Sequence, residues 1–356
     1  MRKAIINSTI SKKRVIFVAA IGILVVAAAI FIFTRPGQSS PRFAFFLYDG
    51  SDTFIIEMMN SLIYTMPEGI TYEVFDANNS QSVQNQQIVE LINEDFDLFI
   101  INAVDRLASS SILERLSREG IPIIFFNREP LAEALIGRDN VFYIGAAADS
   151  LGERQADIAA QYFLGSQSGY QKTIGDTIRV IILKGEHGHQ DAERRTENSI
   201  SRLNELGFVV DVLAIQSANW RRQDAREAMR MLYAQFGDDI DLLFTNNDDM
   251  ALGAIDYLLE ESIFLEGREF YEQPFIIISV DGTPVGLEAV YRGLIFGTVH
   301  NDIAAQSSAI LMLADYIMKG RDINSFPYSI TNGHFIYIDG DIITRDNVIE
   351  YMKLIQ

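Results

Sequence analysis

The sequence predicts an α/β protein with two doubly wound domains, and three observations lead to that prediction. The chain has 356 residues, of which 48% are hydrophobic and 22% charged, a composition that excludes a disordered polymer and suits about two domains of ~100–200 residues. Short apolar segments rich in β-branched and aromatic residues recur along it, and stretches with helical periodicity separate most of them. This alternation is typical of mostly parallel sheets covered by helices on both faces.

The predicted strands begin after the linker RPGQSSPR. They are FAFFLY (43–48), ITYEVF (70–75), FDLFIIN (96–102), IPIIFF (121–126), VFYIG (141–145), TIRVIILK (177–184), DLLFTN (241–246), FIIISV (275–280) and FGTV (296–299). Helical periodicity is clearest in QSVQNQQIVELINE, DSLGERQADIAAQYFLG and DAERRTENSISRLNELG. Some 300 residues of this pattern are too many for one compact sheet, which favours two α/β domains.

The N-terminal segment predicts export of the rest of the chain. Between Arg14 and Arg35 lie twenty uncharged residues, VIFVAAIGILVVAAAIFIFT, and a helix of that length spans the ~30 Å core of a bilayer. The basic residues before it should stay in the cytoplasm. A cleaved signal peptide has an apolar core of only about 7–15 residues, so we expect an uncleaved N-terminal apolar helix within residues 1–40. With either an anchor or a signal peptide, the body lies outside the cytoplasm.

Charge and cysteine content exclude several function classes. The net charge is -19, and the first 35 residues hold six bases and no acid, so the remainder carries 48 acids against 23 bases. Such a body is unsuited to nucleic acid, which demands a basic surface. The sequence has no cysteine, which excludes disulfides, thiolate metal sites and a cysteine nucleophile.

Polar and aromatic residues follow most of the predicted strands. In open α/β sheets the ligand lies beyond the carboxyl ends of the strands, so these positions are candidates for a binding site. In chain order they are Asp52, Phe54, Asn102, His189, Asp191, Arg195, Trp220, Asn247, Asp281 and Asn301. Planar polar groups can each hold neighbouring hydroxyls of a pyranose, and flat aromatic rings suit the apolar faces of the sugar.

Each candidate also has a simpler interpretation. Asp and Asn after a strand are often turn formers or helix N-caps. Asp191 and Arg195, four residues apart, suit a local ion pair on a helix, and a lone tryptophan suits a core. His187 and His189 lie two apart, but a metal site is disfavoured because no thiolate or third histidine lies nearby. The argument for a site is that all these residues lie at strand ends.

The same segments resemble the glucose/galactose-binding branch of the type I periplasmic sugar-binding protein family, from about Phe43 to the C-terminus. The most telling runs are FFNREP (125–130), LKGEHGHQDAERRT (183–196), NNDDMALGA (246–254), SVDGTP (279–284) and GTVHND (297–302). The sugar contacts of that family fall on the ten candidates above, each with the residue type that the family uses. The resemblance implies that Phe54 and Trp220 sandwich the sugar ring while the other eight bind its hydroxyls.

The resemblance also implies a two-lobed type I periplasmic binding protein fold with hinge closure. Three crossings would join the lobes, near residues 121, 301 and 337. The first lobe would hold residues 41–121 and 301–337, and the second would hold 122–300 and 338–356.

A calcium loop known in the family is degenerate in this sequence. The aligned positions are Gln171, Thr173, Gly175, Thr177 and Arg179, with Asp241 as the distal partner. A hard cation needs several carboxylate or carbonyl oxygens in a ring, and this loop offers no carboxylate at the matching positions. We therefore expect that the metal site is lost and that the protein needs no cofactor.

The function that the resemblance implies is a non-enzymatic receptor for D-glucose or D-galactose. It would serve an ABC transporter permease, with a chemoreceptor as a further candidate partner. Four other functions compete. A glycoside hydrolase would pair carboxylates among Asp52, Asp191 and Asp281, but we expect Arg195 to lower their pKa values, whereas a general acid needs a raised pKa. A sugar-responsive transcription regulator would need a helix-turn-helix at the N-terminus. A membrane-anchored sensor for a signalling partner, or a receptor for another monosaccharide, fits the same features.

Overall fold

The computed structural model describes residues 40–116, 120–165, 171–268 and 270–354. The predicted N-terminal apolar helix lies outside these ranges. Within them, no helix is long and apolar enough to cross a membrane.

The described residues form twelve strands. They are β1 (Arg42–Leu47), β2 (Thr71–Asp76), β3 (Leu98–Ile101), β4 (Ile123–Phe126), β5 (Val141–Ala146), β6 (Thr177–Lys184), β7 (Val209–Ser217), β8 (Leu242–Thr245), β9 (Ile276–Asp281), β10 (Gly297–His300), β11 (Phe335–Ile338) and β12 (Ile342–Thr344). The α-helices that alternate with them are α1 (Thr53–Thr65), α2 (Gln81–Leu91), α3 (Ser109–Leu116), α4 (Ala132–Leu135), α5 (Ala148–Leu164), α6 (Gln190–Glu205), α7 (Arg222–Phe236), α8 (Asp248–Glu260), α9 (Pro284–Tyr291), α10 (Ile303–Met318) and α11 (Val348–Leu354).

The strands form two six-stranded sheets whose strands follow a similar order. The first has the order β11-β5-β4-β3-β1-β2 and its described pairs are parallel. The second has the order β12-β10-β9-β8-β6-β7, in which β12 alone of the described strands pairs antiparallel. In each sheet the chain winds first to one side and then to the other, so the direction reverses between β1 and β3 and between β6 and β8. Ligand sites of open α/β sheets lie beside such reversals.

Both faces of each sheet are buried, which explains why the strands are apolar at consecutive positions rather than at alternate ones. In β1, Phe43 and Phe45 pack towards α1 and α10, whereas Ala44 and Phe46 pack towards the opposite layer with α3. The second sheet is covered in the same way, by α7 and α8 on one face and by α5 and α6 on the other. Each sheet with its helices therefore forms one lobe.

The chain crosses between the lobes at three places that lie side by side. The crossings follow β5, β10 and β11. The N–H of Ala147 in the first crossing donates to the carbonyl of Ile338 at 2.8 Å, and the N–H of His300 donates to the carbonyl of Asp341 at 2.7 Å. Gly340 passes so close to the second crossing that an added Cβ would lie 1.9 Å from the His300 carbonyl oxygen.

The predicted boundary near residue 121 is wrong. Strands β4 and β5 pair with β3 in the first sheet, so residues 122–146 belong to the first lobe and the first crossing follows Ala146. The physical reason is that an apolar run reveals a buried strand but not which of two equally apolar sheets it joins. The first lobe therefore comprises the described residues of 40–146 and 303–338, and the second comprises the described residues of 148–300 and 342–354.

Candidate functional site

The carboxyl ends of strands from both sheets meet at one cleft between the lobes. Loops after β1 and β4 reach it from the first lobe, and loops after β6, β7, β8, β9 and β10 reach it from the second. Nine of the ten predicted residues line one small pocket in this cleft, namely Asp52, Phe54, His189, Asp191, Arg195, Trp220, Asn247, Asp281 and Asn301. The residues chosen for their positions near strand ends therefore lie together at one pocket.

Asn102, the tenth predicted residue, lies behind the pocket wall. It is fully buried, and its Nδ2 donates to Asn127 Oδ1 at 3.1 Å and to the Phe126 carbonyl at 3.3 Å. Its Oδ1 accepts from the backbone N–H of Tyr48 at 3.2 Å. Asn102 thus ties together the loops that follow β1 and β4, because its strand lies between theirs in the sheet.

Three further residues line the pocket, and the sequence analysis missed them. They are Tyr48, Asn127 and Arg128. Asn127 and Arg128 immediately follow β4 in the run FFNREP, so the rule that selected the other candidates would have found them had it been applied to this strand. Tyr48 gave no such signal, because it was assigned to the first predicted strand, FAFFLY, as its last residue.

Three of the pocket residues are also helix N-caps. The Asp52 side chain accepts from the N–H of Ile55 at 3.0 Å at the start of α1. Asn247 caps α8 in the same way, accepting from Met250 at 2.9 Å, and His189 caps α6. A helix cap and a position in the pocket wall are therefore compatible at these residues, because a helix that starts beyond a strand end points its free N–H groups at the same cleft.

Arg195 organises the half of the pocket that belongs to the second lobe. Its side chain is only 3% exposed. Its Nη2 donates to Asp191 Oδ2 at 3.1 Å and its Nη1 donates to the carbonyl of Asn246 at 2.7 Å, while Nη1 lies 3.8 Å from Asp281 Oδ1. Its buried Nε has no hydrogen-bond partner among the described residues. The guanidinium thus partly compensates the carboxylates around it and keeps one donor unused.

A second layer holds the outer end of the pocket in place. The Asn301 Nδ2 donates to Asp281 Oδ1 at 3.2 Å, and Gln306 donates to Asn301 Oδ1 at 2.6 Å. The buried carboxylate of Asp248 accepts from the hydroxyls of Ser279 in β9 (2.6 Å), Thr298 in β10 (2.8 Å) and Thr283 at the start of α9 (2.9 Å). Such satisfied polar layers fix the orientation of the groups in front of them.

Strained backbone conformations occur at three pocket residues. Asn127, Trp220 and Asp281 have positive φ angles of 59°, 65° and 123°, a region that costs a residue with a side chain about 1–3 kcal/mol. The indole of Trp220 lies so close to Gly185 that an added Cβ there would be 2.3 Å from the ring. A side chain at residue 185 would therefore displace the tryptophan from the pocket.

His189 is held neutral. Burial lowers the pKa of His189 well below its usual value of 6.5, and the positive charges of Arg128 and Arg195 lower it further. Its Nδ1 accepts from the backbone N–H of Asp191 at 3.2 Å, so the neutral ring carries its proton on Nε2. The ring stands edge-on to Trp220, with centroids 4.9 Å apart. His189 therefore supplies one donor to the pocket rather than a charge.

The pocket is small. Its free volume is about 30 Å³, room for about two water molecules. Cavities of about 470 Å³ flank it on either side, one beside Tyr48 and Trp220 and the other beside Arg128 and His189. A ligand of monosaccharide size can therefore be seated only if the lobes move apart and close again around it.

The comparison with known proteins decides the family. The family model described as periplasmic binding protein domain matches residues 43–322. This chain belongs to that family. The prediction of a two-lobed fold is confirmed by this match and by the two sheets. Membership also confirms the extracytoplasmic location of the body and the prediction of a binding protein rather than an enzyme.

Individual relatives differ in the ligands that their names give. The D-galactose/methyl-galactoside binding periplasmic protein MglB of Haemophilus influenzae is 29% identical over 80% of this chain and 83% of its own. The xylitol-binding protein of Mycolicibacterium smegmatis is 28% identical over 88% of this chain and 80% of its own. A Bacillus halodurans ABC transporter solute binding protein with bound myo-inositol superposes with a TM-score of 0.71 at 24% identity, covering 89% of this chain and 99% of that one.

The expectation that the carboxylate pKa values are lowered is wrong. The conclusion drawn from it, that the chain is not a glycoside hydrolase, still holds. Burial raises the pKa values of Asp52, Asp191 and Asp281, with the largest rise at Asp281, and the lowering by Arg195 at Asp191 and Asp281 is smaller than this effect. The sequence could not show this, because desolvation depends on how completely the binding protein closes its cleft. Membership of the family, rather than carboxylate pKa, identifies the chain as a binding protein.

The loop at residues 171–179, predicted to have lost a metal site, brings two positive side chains to Asp241. Arg179 donates to Asp241 through its backbone N–H at 2.8 Å and its Nε at 3.2 Å, and Lys172 Nζ lies 3.1 Å from Asp241 Oδ2. Arg179 also forms an ion pair with Asp239. The side chains of Arg179 and Lys172 thus both lie against Asp241, the one carboxylate among the aligned positions. Among the described residues, no group of three or more His, Asp or Glu side chains is arranged to hold a metal ion.

His189 predicts how stability depends on pH. Below pH 6.5 the unfolded histidine takes up a proton while the folded one does not, so the free energy of unfolding falls as pH falls, by about 1.4 kcal/mol per pH unit. His189→Asn removes this contribution and keeps a capping side chain for α6. Urea denaturation at pH 7.5 and at pH 5 should therefore show the wild type losing stability relative to the variant. A difference between the two proteins that stays constant across this range would contradict the assignment of a neutral His189.

Proposed function

We propose that this sugar-binding protein captures a hexose, D-galactose or D-glucose, outside the cytoplasm and presents it to the permease of an ABC transporter. A role with a chemoreceptor and an uncleaved membrane anchor belong to the same proposal. The observation that carries it is the pocket: its nine predicted residues comprise three carboxylates, an arginine with an unused donor, two asparagines, a neutral histidine and two aromatic rings. All nine of these side chains are of the type that the resemblance requires.

The chemistry of the lining supports a polyhydroxylated ring as ligand. A sugar hydroxyl both donates and accepts, so it can bond a carboxylate and an arginine or histidine N–H at once. Phe54 and Trp220 add flat apolar surface for the C–H faces of a pyranose. A ligand without hydroxyls would leave the buried carboxylates and the Arg195 Nε unpaired, which disfavours it by about 1–3 kcal/mol for each lost partner.

The choice of hexose rests on side chains rather than on overall similarity. Relatives named for galactosides and for xylitol match this chain almost equally in identity, so identity alone does not select the sugar. The residue types at the pocket positions favour D-galactose and D-glucose.

Isothermal titration calorimetry of residues 41–356 against hexoses, pentoses, polyols and deoxyhexoses tests the proposal. D-Galactose and D-glucose should release heat with the highest affinities of the panel, and deoxy analogues should bind about 10–100-fold more weakly because each missing hydroxyl strands a buried group. Tight binding of ribose, xylitol or myo-inositol with no heat from either hexose would overturn the assignment.

Two substitutions test the pocket itself. Trp220→Ala removes aromatic surface and Asp281→Ala strands the donors around it, so each should weaken hexose binding by about 2–4 kcal/mol. Trp220 is the only tryptophan, so the sugar should also change the intrinsic fluorescence of the wild type. Asp346→Ala, at an exposed position of the second lobe, is the control and should bind as the wild type does. Wild-type affinity in both pocket variants would place the site elsewhere.

We also propose that the protein works without calcium. Arg179 and Lys172 bring positive charge to Asp241, where a calcium ion would need negative oxygens. Melting curves with EDTA and with millimolar calcium should give the same Tm. A rise with calcium that disappears in Asp241→Ala would contradict this proposal.

A further inference from the structure

Arg128 lies at the edge of the first lobe with its side chain 5% exposed. Its Nη1 donates to the carbonyl of Val104 at 2.6 Å, and its guanidinium lies 3.7 Å from the ring centroid of Tyr48, in cation–π contact. Both partners belong to the same lobe, so they hold the guanidinium in place whether the cleft is open or closed.

The remaining end of this guanidinium reaches across the cleft. Arg128 Nη2 donates to Glu186 Oε2 at 2.6 Å, and Glu186 belongs to the loop between β6 and α6 of the second lobe. The Glu186 side chain is 39% exposed, so opening the cleft would return it to water at little cost. This contact therefore exists only while the lobes are together.

Two other described contacts between the lobes lack a buried positive charge. Arg221 lies 3.7 Å from Asp49, but its side chain is 59% exposed, and exposed pairs contribute little. Thr53 donates to Asp249 Oδ2 at 2.6 Å without a formal positive charge. Among the described residues, the Arg128–Glu186 contact joins a buried guanidinium to a carboxylate of the opposite lobe.

The Arg128 side of this contact also belongs to the ligand pocket. Arg128 lines the pocket wall, and the Tyr48 ring beneath it hydrogen-bonds through its hydroxyl to Asp52. The positive φ of Asn127 turns the chain at the end of β4 so that residues 127 and 128 both line the pocket. The position of the Arg128 guanidinium thus depends on the same residues that form the first lobe's half of the site.

We propose that Arg128 and Glu186 form a latch that holds the two lobes closed over the bound sugar and so sets the rate at which the sugar leaves. This inference rests on the proposed function. A contact made only in the closed state raises affinity by the factor by which it favours closure. Because the sugar enters before the latch forms, the effect falls on dissociation rather than on association. Both residues are positioning residues, since the latch acts on the lobes and does not discriminate between sugars.

Stopped-flow tryptophan fluorescence with D-galactose and D-glucose tests the latch. Glu186→Gln keeps the size of the side chain and removes its charge, so it should raise the dissociation rate and the Kd about tenfold, equal to 1.4 kcal/mol, with the association rate changed less than about twofold. The ratio of the two sugars' affinities should stay at its wild-type value. Arg128→Lys should act in the same direction, and the double variant should be no weaker than the worse single variant.

Arg221→Gln is the matched control, because it removes the exposed cross-lobe arginine and should change the dissociation rate less than about twofold. An unchanged dissociation rate in Glu186→Gln, or an effect on association alone, would overturn the latch. An altered ratio between the two sugars would also overturn it, because it would show that the pair acts on the ligand.

A sugar-free experiment separates failure of the latch from failure of the proposed function. The chain has no cysteine, so Thr53→Cys with Asp249→Cys places one thiol on each lobe where the native side chains touch. Disulfide formation then reports closure, and it should be several-fold slower when Glu186→Gln is added. If neither hexose binds the wild type, the proposed function fails while this rate still decides the latch; an equal rate with and without Glu186→Gln refutes it.

Discussion

The second lobe's half of the site depends on one buried positive charge. The guanidinium of Arg195 lies between Asp191 on its own helix and Asp281 at the end of β9, and it also donates to the carbonyl of Asn246, just after β8. Taking several carboxylates out of water is unfavourable unless a positive charge and hydrogen bonds compensate for it. The three secondary-structure elements can therefore converge on one point only because Arg195 occupies it. The pKa of Asp281 nevertheless stays raised, so the compensation is incomplete, and an unused Arg195 Nε and unused carboxylate lone pairs remain for a ligand.

The first lobe's half of the site is built differently from the second lobe's half. Asn102 sits behind the surface and joins the loops after β1 and β4, while Tyr48 and Arg128 form the wall in front. The two halves meet over a volume too small for a sugar, and the only described covalent links between lobes are three adjacent crossings that pack tightly enough to require glycine at residue 340. Rigid halves on a narrow hinge make opening and closing the motion that the fold permits most readily.

Residues at the cleft serve stability and binding together. Asp52, His189 and Asn247 complete the first turns of their helices and also line the pocket, and the backbone strain at Asn127, Trp220 and Asp281 is borne by the well-packed sheets beneath them. A structural explanation for such a residue therefore does not argue against a role in binding. Strain and buried charge meet at the cleft, because Asp281 ends β9 while Asp191 and Arg195 lie in the first turns of α6.

The sequence by itself determined what depends on local pattern. Apolar runs alternating with amphipathic helices predicted two doubly wound lobes, and the polar residues after the strands predicted nine members of the pocket, because parallel strands bring their carboxyl ends to one edge. Tertiary structure alone decided what depends on long-range proximity. It assigned β4 and β5 to the first sheet, moved Asn102 behind Asn127, joined Arg128 to Glu186, and raised the carboxylate pKa values that the charge of Arg195 suggested would fall. The physical reason is that strand partnership and desolvation are set by segments distant in the chain that exclude water together, and no local run of residues encodes which segments those are.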